Sequence, residues 1–194
     1  MFSHLLLLFI GALLVNNILL IRFIALCAFF GVSNSMSTSI GMGMAVTFVM
    51  VLTSSVTWIL WNFVLVPLHL EYLQISVFIL TIAALVQFVE LFLKKNSPSL
   101  YRAMGIYLPL ITTNCAILAV AFIHVSSNFN FIETIVYTIG VSGGYTLAIV
   151  MFAGIRERLA SAPVPRAFQG YPLTFITASL MSLAFLGFKG LFGL

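Results

Sequence analysis

The chain is built from six apolar runs, each about 20 residues long, which is the length a helix needs to cross a bilayer. Polar and charged residues gather between these runs. We predict spans near 5–30, 37–61, 72–93, 104–125, 132–155 and 171–192. The runs are continuous rather than alternating, which favours helices over the strands of a barrel. The pattern predicts an all-α integral membrane protein with a single membrane domain, residues 1–194.

Composition supports this class and excludes several others. Only 6% of the 194 residues are charged, whereas soluble domains carry about 25%. A further 62% are hydrophobic, too many for a soluble enzyme or a disordered chain. The sequence contains no phosphate-binding loop and no nucleophile elbow, so it does not indicate nucleotide binding or hydrolysis. The net charge of +4 is spread between apolar runs and does not indicate nucleic-acid binding.

The basic residues predict the orientation in the membrane. Lysine and arginine accumulate on the cytoplasmic side of bacterial membrane proteins. Six of them lie in the third and fifth connections: Lys94, Lys95, Arg102, Arg156, Arg158 and Arg166. The opposite side carries only Lys189. We therefore predict a multi-pass protein of the bacterial inner membrane, with both termini outside and the fifth connection, 156–170, as its largest cytoplasmic loop.

Two sequence matches indicate an internal repeat. The tripeptide at 39–41, Ser-Ile-Gly, recurs at 138–140 as Thr-Ile-Gly. The polar tripeptide at 15–17 matches another at 112–114. The chain thus divides into three-span halves, about 1–95 and about 100–194. Because three is odd, the halves enter from opposite faces and form inverted repeats, which place functional sites near the midplane at broken helices.

Polar residues predict that spans one and four are interrupted. Span one carries Asn16 and Asn17, and span four carries Pro109, which removes a helix hydrogen bond. The two cysteines of the chain, Cys27 and Cys115, fall in these two spans. A buried cysteine usually serves as a small apolar side chain. The alternative is ligation of an iron–sulfur cluster, which takes four thiolates and would need two from a second chain.

The depths of the cysteines give a testable constraint. In a straight helix, Cys27 would lie about 5 Å from the cytoplasmic end of span one, at 1.5 Å per residue. Cys115 would lie about 17 Å deep in span four. A gap of about 12 Å is too wide for one cluster, because metal–sulfur bonds measure about 2.3 Å. Shared ligation therefore requires span one to break near Asn16 and Asn17.

Other charged groups leave alternatives open. Glu90 has Lys94 four residues later, which suits an ion pair near the membrane surface. The alternative role for Glu90 is a cation entry point. Arg22 either pairs with carbonyls at the break or lies at an interface. The histidines map near the outer face without grouping, so we infer no metal site from His4, His69 and His124.

Five stretches together resemble the A-type subunit of the Rnf electron-transport complexes, over essentially the whole chain. They are residues 14–17, 25–27, 105–116, 153–159 and 176–183. The E-type subunit of the sodium-translocating NADH:quinone reductases is similar and is the second candidate. The sequence Leu-Ile-Thr-Thr-Asn-Cys in span four favours the Rnf family.

The resemblance implies a six-span protein that pairs with a homologous partner of opposite topology, similar to the E-type subunit of Rnf complexes. In that family the pair holds an intramembrane [2Fe-2S] cluster on two cysteines from each chain, here Cys27 and Cys115. The complex moves electrons between ferredoxin, flavins and NAD and couples this to sodium or proton movement. The acid corresponding to Glu90 is implicated in cation uptake. Asn114 and Thr113 are candidate neighbours of the cluster.

Two other function classes remain open on the sequence. Inverted repeats with broken spans are also typical of small ion and solute transporters. A purely structural membrane component with packing cysteines is the third class. The expected partners are the other proteins of the complex and membrane lipid, with no nucleic acid. Bound iron would separate the electron-transfer protein from both alternatives.

Overall fold

The computed structural model describes residues 2–33, 35–96, 111, 114–165 and 168–190. Within these ranges the chain is helical and contains no strand, which confirms the all-α class. The α-helices are α1 (Phe2–Ile10), α2 (Leu26–Val32), α3 (Met36–Leu60), α4 (Gln74–Asn96), α5 (Cys115–Ser126), α6 (Phe131–Ala160) and α7 (Tyr171–Leu186). Single π turns extend α1 through Gly11–Val15 and α3 through Trp61–Leu65. Short 3₁₀ turns lie at Glu71–Leu73 and Gly187–Gly190.

The helices coincide with the six predicted spans, and several of them extend a few residues beyond the predicted ends. Three apolar stretches of the described chain are long enough to cross a membrane: Met36–Leu65, Glu71–Leu91 and Phe131–Ala160. Three shorter apolar helices mark the other spans: Ser3–Val15, Cys115–Ser126 and Tyr171–Leu186. The first part of predicted span four, with Pro109, Thr112 and Thr113, lies outside the described residues.

Helices α3 and α6 form an antiparallel central pair. At one end the ring of Trp58 meets that of Phe131 edge to face, with 5.2 Å between centroids. In the middle, Gly43 leaves room for the side chain of Thr146. These contacts fix the register of the two long helices, against which the shorter ones pack.

Helix α1 runs parallel to α6 and approaches it at two glycines. A Cβ added at Gly140 would lie 2.9 Å from the carbonyl oxygen of Phe9. One added at Gly144 would lie 2.6 Å from that of Leu13. Small residues spaced by four let helix backbones come this close. The first broken span is therefore held against the middle of α6.

Helix α6 is longer than the sequence indicated. We expected span five to end near residue 155, with Arg156 in a loop, but the helix continues to Ala160. That prediction was wrong because Arg156 has a structural partner. Its Nη1 donates to the carbonyl oxygen of Phe30 at 3.0 Å and to Ser33 Oγ at 2.8 Å. The guanidinium thus satisfies a carbonyl that the end of α2 leaves free.

We expect Gly144→Ala to destabilise the protein, because the new methyl would meet backbone that cannot rotate away. Overpacking of this kind costs about 1–3 kcal/mol. Gly143→Ala is the matched control, since its methyl would meet only the end of the Leu13 side chain, Cδ1 at 3.1 Å. Thermal unfolding of both variants in detergent measures the difference. Equal melting temperatures would contradict the close contact.

Candidate functional site

Span one breaks where the depth constraint required it. Helical structure ends at Val15 and resumes only at Leu26. The buried side chain of Asn17 organises the break, because its Oδ1 accepts from the backbone N–H groups of Leu19 at 3.0 Å and Leu20 at 3.2 Å. Its Nδ2 donates to the carbonyl oxygen of Gly144 at 2.9 Å. The predicted break near this asparagine is confirmed.

Span four uses the same device. Asn114 is extended (φ −71°, ψ 110°) and directly precedes the first residue of α5. Its Oδ1 accepts from the N–H of Ala116 at 3.0 Å, two residues later, as Asn17 does from Leu19. The repeat aligns Asn17 with Asn114. A buried asparagine therefore caps backbone beside the break in each half.

The turn that leads back into helix α2 is strained. Phe23 and Ala25 both have left-handed backbone conformations, with φ of 53° and 69°. For residues with a Cβ, this conformation costs roughly 1–2 kcal/mol each. It aims the N–H of Ala25 at the sulfur of Cys115, with 3.0 Å between nitrogen and sulfur. This hydrogen bond joins the end of the first break to the start of α5.

Helix lengths place the two thiols at similar depths. Cys115 begins α5 and lies about 17 Å from the far end of that helix. Cys27, the second residue of α2, lies about 8 Å from the end of α2, on the opposite side of the span. Because they are measured from opposite sides and together nearly fill a bilayer core of about 30 Å, the two thiols lie at nearly the same depth. The difference in depth expected for a straight first span is therefore largely removed.

Both cysteines are free thiols at the surface of the chain. Two buried polar side chains lie next to the residues of the breaks. Asn114 directly precedes Cys115, and Tyr145 on α6 follows Gly144, whose carbonyl oxygen accepts from Asn17. Neither Tyr145 Oη nor Asn114 Nδ2 forms a hydrogen bond within the described residues. One of these unused polar groups thus belongs to the residue that caps α5, and the other lies next to the carbonyl that Asn17 binds.

A sequence comparison identifies the family of this chain. The sequence model of a family described as "Rnf-Nqr subunit, membrane protein" matches residues 5–192. The chain belongs to the Rnf-Nqr subunit family. The predicted resemblance is confirmed, and the broken, thiol-bearing spans lie inside the matched region.

Relatives within the Rnf-Nqr family match over nearly their whole length. The chain is 55% identical over 189 residues to the A-type subunit of an "Ion-translocating oxidoreductase complex" of Syntrophotalea carbinolica, covering 97% of this chain and 98% of that one. It is 57% identical over 182 residues to the A-type subunit of a "Na(+)-translocating ferredoxin:NAD(+) oxidoreductase complex" of Acetobacterium woodii, covering 94% and 95%. A third relative, named as the first, comes from Azoarcus sp. and is 53% identical over 189 residues, covering 97% and 98%.

The other predicted residues of this Rnf-Nqr chain lie apart from the cysteines. Glu90 is half-buried on α4, and no described contact joins it to either thiol. Arg22 is exposed within the break and forms no hydrogen bond in the described residues, so the carbonyl-pairing interpretation has no support there. Thr113 lies outside the described residues.

Sequence reasoning did not single out Tyr145, a buried residue whose hydroxyl has no hydrogen-bond partner in the described residues. A tyrosine within an apolar span is expected to be part of its apolar face. The available signal was its hydroxyl, a polar group placed where a membrane helix contacts others. A buried tyrosine normally finds a hydrogen-bond partner.

The donor chemistry fits half of an iron–sulfur site. Thiolates are the usual ligands of such clusters, which take four of them. The chain has only two cysteines, and the side chains of both are exposed at its surface. No group of three or more His, Cys, Asp or Glu side chains comes together in the described part of the chain. A complete cluster would therefore need ligands from a second chain.

We expect Asn17→Ala to destabilise the first broken span, whereas Asn16→Ala should not. Removing the Asn17 amide leaves two N–H groups and the Gly144 carbonyl without their partner, at a cost of about 1–3 kcal/mol for a buried group. Asn16 is exposed and serves as the matched control. Thermal unfolding in detergent and the rate of Cys27 labelling by a thiol reagent report the effect. If both variants behave as wild type, Asn17 does not hold the break.

Proposed function

We propose that this chain is the A-type subunit of an ion-translocating ferredoxin:NAD oxidoreductase complex and holds two ligands of an intramembrane [2Fe-2S] cluster. The proposal rests on one observation above all. The N–H of Ala25 donates to the sulfur of Cys115, so the segment carrying Cys27 meets the other cysteine 88 residues away in sequence. The names of the relatives supply the class of complex.

Cys27 and Cys115 are the proposed ligands. When bound, such a cluster takes up and releases electrons. The chain contributes the geometry: two thiols open to one surface, with an amide N–H already directed at one sulfur. Hydrogen bonds of this kind stabilise anionic sulfur. The start of α5 adds the positive end of a helix dipole beside Cys115.

The missing ligands are best supplied by a homologous chain of opposite topology. Both cysteines lie towards the middle of the bilayer, because the breaks divide the spans into shorter helices. A related chain inverted across the membrane would present its own pair at nearly the same depth. Two such pairs facing each other provide four thiolates, as the cluster requires. The partner proposed is therefore an inverted homologue, an E-type subunit of the same complex, rather than a soluble protein.

The orientation completes the proposal. The positive-inside rule places the third and fifth connections in the cytoplasm and both termini outside, in the bacterial inner membrane. Glu90 then lies near the cytoplasmic end of α4, where it is proposed to admit the coupled sodium ion or proton. Electron transfer and cation uptake are thus assigned to different parts of the chain.

A small ion or solute transporter is the second candidate. It is favoured by one observation, that a broken span gathers capped backbone and polar groups inside the membrane. A transporter would work without iron. Iron content therefore separates the two candidates.

We expect Cys27→Ala and Cys115→Ala each to abolish one cluster signal while leaving membrane insertion intact, because the change is small and apolar. The complex should be purified from its native membrane, and iron should be quantified alongside EPR spectra of the reduced protein. Asn16→Ala, an exposed change in the same break, is the control. If every signal survives in both cysteine variants, the cysteines serve only as packing side chains and the transporter becomes the better candidate.

We expect Glu90→Gln to lower cation-coupled turnover several-fold without loss of iron, since the neutral amide keeps the shape but not the charge. Turnover of the complex in proteoliposomes is measured against sodium concentration and pH. Glu157→Gln is the control, because Glu157 is an exposed acid on α6 at the same predicted face. An unchanged cation dependence in the Glu90 variant would restrict that residue to the alternative ion pair.

A further inference from the structure

A cavity of about 380 Å³ lies between the end of α6 and the start of α7, on the side of the molecule that carries the fifth connection. Its wall is formed by the last turn of α6, by residues of the connection and by the first two turns of α7. The volume falls in the range of small-molecule sites, about 300–1,000 Å³. Arg156 is part of the wall, so the cavity carries a positive charge.

No carboxylate of the chain neutralises this charge in the described structure. All four acidic side chains of the chain are described: Glu71, Glu90, Glu133 and Glu157. The ion pair recorded among the described residues joins Glu133 to His4 and leaves Arg156 out. Because Arg156 is only partly exposed, its charge is partly withdrawn from water and needs compensation. An anion from outside the chain is the partner that the charge requires.

The clamp on α2 uses only part of the guanidinium. Both of its hydrogen bonds, to Phe30 and to Ser33, come from Nη1. No hydrogen bond from Nη2 or Nε is recorded within the described residues, so these donors remain for a ligand. The planar fork of N–H groups in arginine suits a phosphate, which it can bind through two parallel hydrogen bonds.

The cavity lies at the level of lipid headgroups. Arg156 follows the start of α6 at Phe131 by 25 residues, or about 38 Å of helix. This exceeds the hydrocarbon core of about 30 Å but not the full bilayer of about 40–45 Å with its headgroups. Tyr171, the exposed first residue of α7, is of the type that gathers at this interface.

An exposed apolar face continues from the cavity along α7. Ile176, Leu180 and Leu183 are 44%, 62% and 65% exposed, and their spacing of four and three places them on one side of the helix. A phosphate ion would contact the cavity alone. A phospholipid would place its phosphate in the cavity and its acyl chains along this face. The continuity of the two surfaces therefore favours a lipid over a free ion.

We propose that this cavity binds the phosphate of an anionic phospholipid, with the free edge of the Arg156 guanidinium as its main ligand. Thr174 and Thr177, also in the wall, donate their hydroxyls to carbonyls of their own helix and keep lone pairs that can accept. Such acceptors suit a headgroup that carries hydroxyls, as in phosphatidylglycerol. Basic pockets between membrane helices bind anionic headgroups in this way. The inference does not depend on the cysteines or on iron.

The test is native mass spectrometry of the purified complex, with phosphatidylglycerol titrated into the detergent. Phosphatidylcholine has the same phosphodiester but no net charge, so it is the matched lipid control. Inorganic phosphate tests the free ion. We expect phosphatidylglycerol to fill a site that phosphatidylcholine does not fill and from which inorganic phosphate does not displace it.

Two substitutions assign that site to the cavity. Gln169→Glu places a carboxylate in the wall beside the arginine and leaves the residues of the α2 clamp unchanged. Arg156→Gln removes the charge itself. Because a hydrogen bond to a charged group is lost or opposed, we expect about tenfold weaker phosphatidylglycerol binding in each. Arg158→Gln is the matched control, since it removes an exposed arginine of the same helix end outside the cavity and should leave the affinity unchanged.

Each outcome supports or overturns the lipid site. Equal weakening in Arg158→Gln would indicate general attraction to the basic end of the molecule and overturn it. Displacement by inorganic phosphate would make the cavity an ion site, which also overturns it. Unchanged binding in both cavity variants would mean that no lipid occupies the cavity in the complex. If Arg156→Gln fails to assemble, Gln169→Glu decides: weakened binding supports the site and wild-type binding overturns it.

Discussion

Every backbone group freed inside a bilayer must find a new partner, and this constraint shapes the centre of the molecule. A break in a membrane helix removes hydrogen bonds that water cannot replace. Here side chains replace them: Asn17 and Asn114 cap N–H groups next to the breaks, and Ser182 Oγ donates to the carbonyl oxygen of Leu20 at 2.6 Å. The N–H of Ala25 is satisfied by sulfur. The hydrogen bonding that allows the break therefore also brings the first broken span against Cys115.

The two cysteines do not follow the sequence match between the two broken spans. Asn17 and Asn114 correspond, whereas the cysteines do not. Cys27 follows its asparagine by ten residues and Cys115 follows by one. The longer first break uses the extra residues to turn back, through the left-handed Phe23 and Ala25. Helix α5 begins directly after Asn114, whereas the longer path after Asn17 brings the N–H of Ala25 against the sulfur of Cys115.

Sequence reasoning predicted the parts that follow from hydrophobic length and from the cost of burying polar groups. The spans and the break near Asn17 are of this kind. It could not predict where the break ends, because neither phenylalanine nor alanine favours the left-handed backbone found at Phe23 and Ala25. The extension of α6 past Arg156 depended on the Phe30 carbonyl and the Ser33 hydroxyl, which are far away in sequence. Tyr145 was missed because its unused hydroxyl becomes visible only once its neighbours are placed.

The clamp between Arg156 and the end of α2 has a mechanical consequence. Helix α2 has only seven residues, too few to be stable alone. It is fastened to α6 by the Arg156 guanidinium and by the stacked rings of Phe29 and Phe152, 4.1 Å apart. The position of Cys27 therefore depends on the last turns of α6 as well as on the hydrogen bond from Ala25 to Cys115. A tilt of the end of α6 would shift Cys27 relative to Cys115.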